Sequence, residues 1–212
     1  MYAGLLSYLQ KNSFDFEMAI VQHIKISAIS VAIALAVGFP LGIAASKSKH
    51  VYNFITGFFS TLRVIPSMAI LVASIQVLGV GEAPAVAALA ILAVPPVLIN
   101  TAVGFKHLQA PVLEAAKGLG MGRAFLFFKI KLPLALPTIL AGIRTASVEV
   151  IASAALAAYI GAGGLGEIIL TGLGLFRMEL LLLGGIAVAV LSLFTDLIFY
   201  TADKFLTRYQ RI

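Results

Sequence analysis

Lys106-His107-Leu108-Gln109-Ala110-Pro111-Val112-Leu113-Glu114-Ala115-Ala116-Lys117-Gly118-Leu119-Gly120, answered ten residues later by Ile130-Lys131-Leu132-Pro133, is a polar-edged insert between long apolar runs. Lys and Gly dilute the apolar pattern from Gly104 to Pro133, which predicts a segment lying outside hydrocarbon. Pro111 suits the first turn of a helix, where a missing N–H costs nothing, and Glu114 is well placed near the positive end. Gly118 and Gly120 offer a stop. The result is a short helix with Leu113, Ala116, Lys117 and Gly120 on roughly one side, small enough to enter a groove on a partner. The aromatics of residues 125–132, beside Lys129 and Lys131, fit a segment at the level of lipid headgroups.

On either side of the insert the composition is that of a membrane protein. Of 212 residues, 61% are hydrophobic and 11% charged, well beyond the apolar share of a soluble domain. No Ser-, Pro- or Gly-rich linker or charge block divides the chain, so residues 1–212 read as one all-α transmembrane domain. The net charge of +6 is scattered through short segments rather than clustered on a face, which argues against a nucleic-acid partner. Without Cys there are no disulfides or thiolate metal sites, and no other metal set stands out. The first apolar run is preceded by about two dozen residues including Asp15 and Glu17 and is longer than a signal-peptide core, so it is expected to remain as a span.

A helix needs about 20 apolar residues to cross about 30 Å of hydrocarbon. Five spans are expected, at about 20–45, 54–81, 83–105, 135–160 and 180–202, with the insert filling 106–133. The piece Val51 to Leu62 is ambiguous: twelve residues reach only about 18 Å, so it is either a sixth span or a lead-in to the second. Parity favours the lead-in. Lys47 and Lys49 follow the first span, and Lys106, Lys117, Arg123, Lys129 and Lys131 follow the third, and positive short loops lie in the cytoplasm. An even number of crossings between them then places Lys204, Arg208 and Arg211 inside and the N-terminus outside.

The spacing E-A-A-x3-G-x9-I-x-L-P resembles the cytoplasmic EAA loop of prokaryotic ABC-importer permeases. Arg63-Val64-Ile65-Pro66-Ser67-Met68-Ala69-Ile70-Leu71, Ala141-Gly142-Ile143-Arg144-Thr145 and Gly161-Ala162-Gly163-Gly164-Leu165-Gly166 are similar to segments of osmoprotectant permeases of the glycine betaine, carnitine and choline group, over about residues 20–203. The resemblance implies a type I ABC-importer permease fold with a cytoplasmic coupling helix, in a bacterial or archaeal cytoplasmic membrane. It implies ATP-binding cassette ATPase subunits, a second permease subunit, identical or related, and an extracytoplasmic solute-binding protein as partners. Glu114, Ala115, Ala116, Gly118, Gly120, Met121, Ile130, Leu132 and Pro133 would then couple to the ATPase. Methionine-type permeases share the five-span plan, so the motifs identify the superfamily better than the solute. Glu149 departs from the small or apolar residue expected of the family there.

Ionisable groups within a bilayer face a protein interior, a water-filled cavity or a partner charge. Arg144, Glu149 and Asp196 either pair helices or line the solute path. Asn100, Gln76 and Ser153 read as interhelical hydrogen-bond partners. Pro95-Pro96 should kink or break the third span. The Gly161–Gly166 run should end the fourth span at the outer face, as an external gate or an ordinary helix stop. Residues 167–175 are too short to cross and form a re-entrant or surface helix. Pro66, Asn100, Arg144, Glu149, Tyr159, Gly163 and Gly164 are the candidates for path or gate.

With no Trp, and with Tyr2, Tyr8, Tyr52, Tyr200 and Tyr209 near ends or interfaces, only Tyr159 could face a cation near an outer gate. Solute selection is therefore expected in the binding protein. No G-x-x-x-x-G-K-[ST] loop exists, so this chain binds no cofactor of its own, and ATP and Mg belong to the partner ATPase. His23, His50 and His107 read as interfacial polar residues, and no H-E-x-x-H pair is present. An ion-coupled carrier or channel is the rival function, suggested by the charges within spans, but no repeat relates the two halves.

Overall fold

The structure is a computed structural model that describes residues 10–208; Tyr2, Tyr8, Tyr209 and Arg211 lie outside the described residues. Among the described residues every regular element is helical. They are α1 (Ser13–Ser46), α2 (Lys49–Leu62), α3 (Ser67–Leu78), α4 (Glu82–Lys106), α5 (Ala110–Gly118), α6 (Arg123–Leu126), a π-helix (Phe127–Lys131), α7 (Leu132–Ala154), a 3-10 helix (Ala155–Ile160), α8 (Leu165–Gly174) and α9 (Met178–Leu206).

Four helical stretches are long and apolar enough to cross a membrane: Ser13–Ser46, Glu82–Lys106, Arg123–Ile160 and Met178–Leu206. A fifth crossing requires α2 and α3 to act together, and these meet at 91°. The expected second span is therefore two helices. The break falls at Arg63–Pro66, where Pro66 takes an extended backbone (φ −58°, ψ 136°) as the N-cap of α3. At about 18 Å, α3 is too short to cross alone, and none of the residues of α2 is buried.

Of the two outcomes expected of Pro95-Pro96, a kink or a break, the third span shows no break. The helix α4 runs from Glu82 to Lys106 with Pro95 and Pro96 inside it, in a stretch where Leu92, Val94, Val97 and Leu98 are buried. Packed neighbours hold the helix through two missing N–H donors. The second half of the insert is helical: residues 123–160 form one continuous helical path through the π-helix, so Lys129 and Lys131 lie on a helix that runs on into the fourth apolar stretch.

The chain divides into two compact units, and α1, α4, α7 and α9 contribute to both. Unit one comprises residues up to Ile33, Ile65–Ala93 and Ser147–Asp196. In its core Leu165, Ile168, Leu180 and Val188 of α8 and α9 are buried together against Phe16, Ala19 and Ile20 of α1. Polar bonds tie its helices as well: Ser30 Oγ donates to Val86 O, Ser74 Oγ to Pro84 O, and Lys25 pairs with Glu82 at 2.8 Å.

Unit two comprises Ala34–Val64, Val94–Ala146 and residues from Leu197. Backbones approach closely here. A Cβ at Gly42 would lie 2.6 Å from Thr101 Cβ and 2.7 Å from Leu98 O, and one at Gly142 would lie 2.6 Å from Asn100 Cβ and 2.8 Å from Pro96 O. Glycine thus lets α1 and α7 settle onto α4, the small-residue packing that membrane helices use where burial from water contributes nothing. Phe105 at the end of α4 stacks on Phe127 of the π-helix, with centroids 5.6 Å apart and planes within 5°. Phe39 of α1 meets the same Phe105 edge-on.

Candidate functional site

Two sites emerge, one in each unit. In unit two, α5 is a nine-residue helix with Pro111 in its first turn, as its sequence predicts. Its end is resolved at Gly120. Gly120 N–H donates to Lys117 O at 2.9 Å, and Met121 N–H reaches back to Ala116 O at 3.2 Å. With Gly120 at φ +76°, this is a Schellman close, whose left-handed residue is most readily glycine. Gly118 is an ordinary helical residue in open space, so only the second of the two glycines carries the stop.

The side of α5 available to a partner overlaps only in part with the one expected, since Lys117 and Gly120 are exposed while Leu113 and Ala116 are not. Ala116 is 5% exposed and Leu113 half-buried, so that face turns onto the chain itself. Glu114, Ala115, Lys117 and Gly118 are exposed, and Leu119 is 77% exposed. The expectation took a face from spacing alone, and the intrachain packing claims Leu113 and Ala116 first. Beyond the helix, Met121, Ile130, Leu132 and Pro133 are all half-buried, forming support rather than free surface. Phe125 and Phe128 are exposed beside them.

In unit one, the α7–α8 connection gathers three predicted residues. The α7 helix tightens into the 3-10 turn of Ala155–Ile160, which carries Tyr159, 52% exposed. Gly161, Gly163 and Gly164 then take φ of +75°, +75° and +76°. Gly81 N–H donates to Ile160 O at 2.8 Å, which fixes the end of the turn.

Two neighbouring side chains of α1, neither anticipated from sequence, grip this turn. Gln22 Nε2 donates to Ala162 O at 2.9 Å, while its Oε1 accepts from Gly164 N–H at 3.2 Å. His23 Nε2 donates to Ile151 O at 2.9 Å. His23 is 1% exposed, so it is a buried packing residue and not an interfacial one. Its Nδ1 has no hydrogen-bond partner among the described residues; an unsatisfied buried polar atom costs on the order of 1–3 kcal/mol. The available signal was the pair of adjacent polar residues flanked by Val21 and Ile24 just before the first apolar run.

The remaining candidates are dispersed. Pro66 is exposed at the break before α3. Asn100, in unit two, donates from Nδ2 to Pro96 O of its own helix at 2.8 Å, an internal bond in place of the expected interhelical one. The Arg144 guanidinium lies 5.6 Å from the centre of the Tyr200 ring, within cation–π range. Glu149 is half-buried in unit one. No group of His, Cys, Asp and Glu suited to a metal is found among the described residues.

Long apolar helices joined by a short exposed helix define a multi-pass membrane protein. The sequence signature of the family described as "binding-protein-dependent transport system inner membrane component" matches residues 34–208. The chain belongs to that family, as the membrane component of a binding-protein-dependent transport system. It is 41% identical to the carnitine transport permease protein OpuCB of Listeria monocytogenes, over 91% of this chain and 88% of that one. It is 37% identical to the choline transport system permease protein OpuBB of Bacillus subtilis strain 168, over 96% and 94%. Its fold is similar to that in the inward-facing MetNI methionine ABC transporter, with a TM-score of 0.76 at 17% identity over 88% of this chain and 93% of that one.

Proposed function

We propose that this chain lines the path of an ATP-driven importer for a small quaternary-ammonium osmoprotectant such as glycine betaine, carnitine or choline. The observation that carries the coupling part is the exposed face of α5, Glu114, Ala115 and Gly118, ended by the Schellman turn at Gly120. Small side chains let a partner's groove approach the backbone, and Glu114 accepts hydrogen bonds from it. The groove belongs to an ATP-binding cassette ATPase, which holds ATP and Mg. Phe127 stacked on Phe105 links the coupling segment to α4, a route for motion into the membrane.

Charge supports the orientation. Among the described residues, unit one has three cations, Lys11, Lys25 and Arg177, against seven carboxylates. Unit two has eleven cations against Glu114 and Asp203. Excess Lys and Arg marks cytoplasmic segments, so α5 faces the cytoplasm and the N-terminus the outside of a bacterial or archaeal cytoplasmic membrane. The carnitine and choline permeases to which the chain is similar favour the quaternary-ammonium class over methionine, where the likeness is one of fold. With no Trp to build a cation cage, a solute-binding protein selects the cargo, and a second permease subunit completes the path.

Proteoliposomes test this directly. Accumulation of a quaternary amine that requires ATP, the ATPase and the loaded binding protein is the expected result. Accumulation driven by a proton gradient without them would overturn the proposal in favour of an ion-coupled carrier.

A further inference from the structure

We infer that Gln22 and His23 form a releasable clasp on the α7–α8 turn, positioning residues that hold the turn in one state of the transport cycle and let go in another. The inference rests on the permease reading and adds residues outside the glycine run.

The two side chains hold the turn from both ends. His23 bonds Ile151 O just before α7 tightens into the 3-10 helix, and Gln22 bonds Ala162 O and Gly164 N–H just after it. The turn is shaped around them. A Cβ at Gly163 would lie 2.5 Å from Gln22 Oε1, and one at Gly164 would lie 3.2 Å from His23 Nδ1. Three left-handed glycines within four residues make a segment whose alternative conformations are readily reached.

The clasp has somewhere to go when it opens. A cavity of about 350 Å³ adjoins it, lined by Gln22 and Gly164 together with Asp15, Glu167 and Thr171. A released Gln22 amide finds carboxylate and hydroxyl partners there in place of the backbone groups it leaves. The grip itself is incomplete, since His23 Nδ1 is buried without a partner among the described residues. A second polar environment beside the first is what a bistable element requires.

The absence of Cys permits a clean test. A Cβ at Gly164 would lie 3.4 Å from that of His23, near the separation of a disulfide. In proteoliposomes with the ATPase and the binding protein, the His23→Cys/Gly164→Cys variant is expected to lose at least tenfold of its uptake on oxidation and to regain it with dithiothreitol. Each single variant should ignore the oxidant. Normal uptake by protein shown by mass to be cross-linked would overturn the clasp.

Should the double variant not insert, Gln22→Met decides, since it keeps length and removes both hydrogen bonds. Solute moved per ATP hydrolysed is expected to fall at least threefold, with hydrolysis in the absence of cargo rising. A merely structural Gln22 would lower uptake and hydrolysis together, and an unchanged ratio would overturn the proposal. Absence of ATP-dependent uptake in the wild-type protein would instead refute the permease reading beneath it.

Discussion

Gly120 is the residue at which local geometry bears most directly on function. At φ +76°, with no atom near a would-be Cβ, its constraint is conformational rather than steric. Replacement by Ala should cost about 1–2 kcal/mol at the turn, whereas Asn and Asp, which tolerate this region, should cost less. Asp also places a charge at the exposed end of α5, so Gly120→Asp is expected to insert normally and lose transport, and Gly120→Asn to retain most of it. Equal uptake by wild type and Gly120→Asp would refute the role. The stop at this helix was legible because glycine announces it, although the choice between Gly118 and Gly120 was not. That choice depends on which carbonyls the following N–H groups reach, which spacing does not encode. His23 shows the same limit, since its hydrogen bond spans 128 residues of sequence.

Helix α5 poses its question in the contrast between two adjacent alanines. Ala115 is exposed and Ala116 is 5% exposed. Ala115→Asp should abolish capture of the ATPase while leaving the permease as stable as before. Ala116→Asp buries a charge and should lower the melting temperature of the permease by itself. Thermal unfolding in detergent and co-purification with the ATPase separate the two, and equal loss of capture without destabilisation in both would contradict the packing.

Glycine at the crossings of α4 makes a second prediction. Gly142→Leu must displace Asn100 and the Pro96 carbonyl, for which overpacking costs about 1–3 kcal/mol. An unchanged melting temperature would exclude that close approach. Long apolar runs made α1, α4, α7 and α9 readable almost to their ends. The 91° break between α2 and α3 was readable only as Arg63 with Pro66, because its angle comes from tertiary packing. Pro95-Pro96 left a kink and a break both open, and the helix is continuous because a proline pair that breaks an isolated helix is accommodated where neighbours bury it.

For the molecule as a whole, charge segregation predicts sidedness. In the natural Cys-free background, Lys11→Cys should be labelled by an impermeant maleimide from outside intact cells, and Lys117→Cys only after permeabilisation. The reverse pattern would invert the topology. Fold class and the short helix α5 could be read from one chain because hydropathy and a short motif are local signals. The grip of α1 on the α7–α8 turn could not, because it joins residues remote in sequence.

The central claim is that α5 transmits the work of an ATPase. Uptake of a quaternary amine by vesicles holding the permease, the ATPase and the binding protein, with residues 110–120 either intact or replaced by a Gly-Ser segment of equal length, measures this most directly. Uptake should fall to background on replacement while the spans remain inserted. Uptake at the normal rate without α5 would contradict the account.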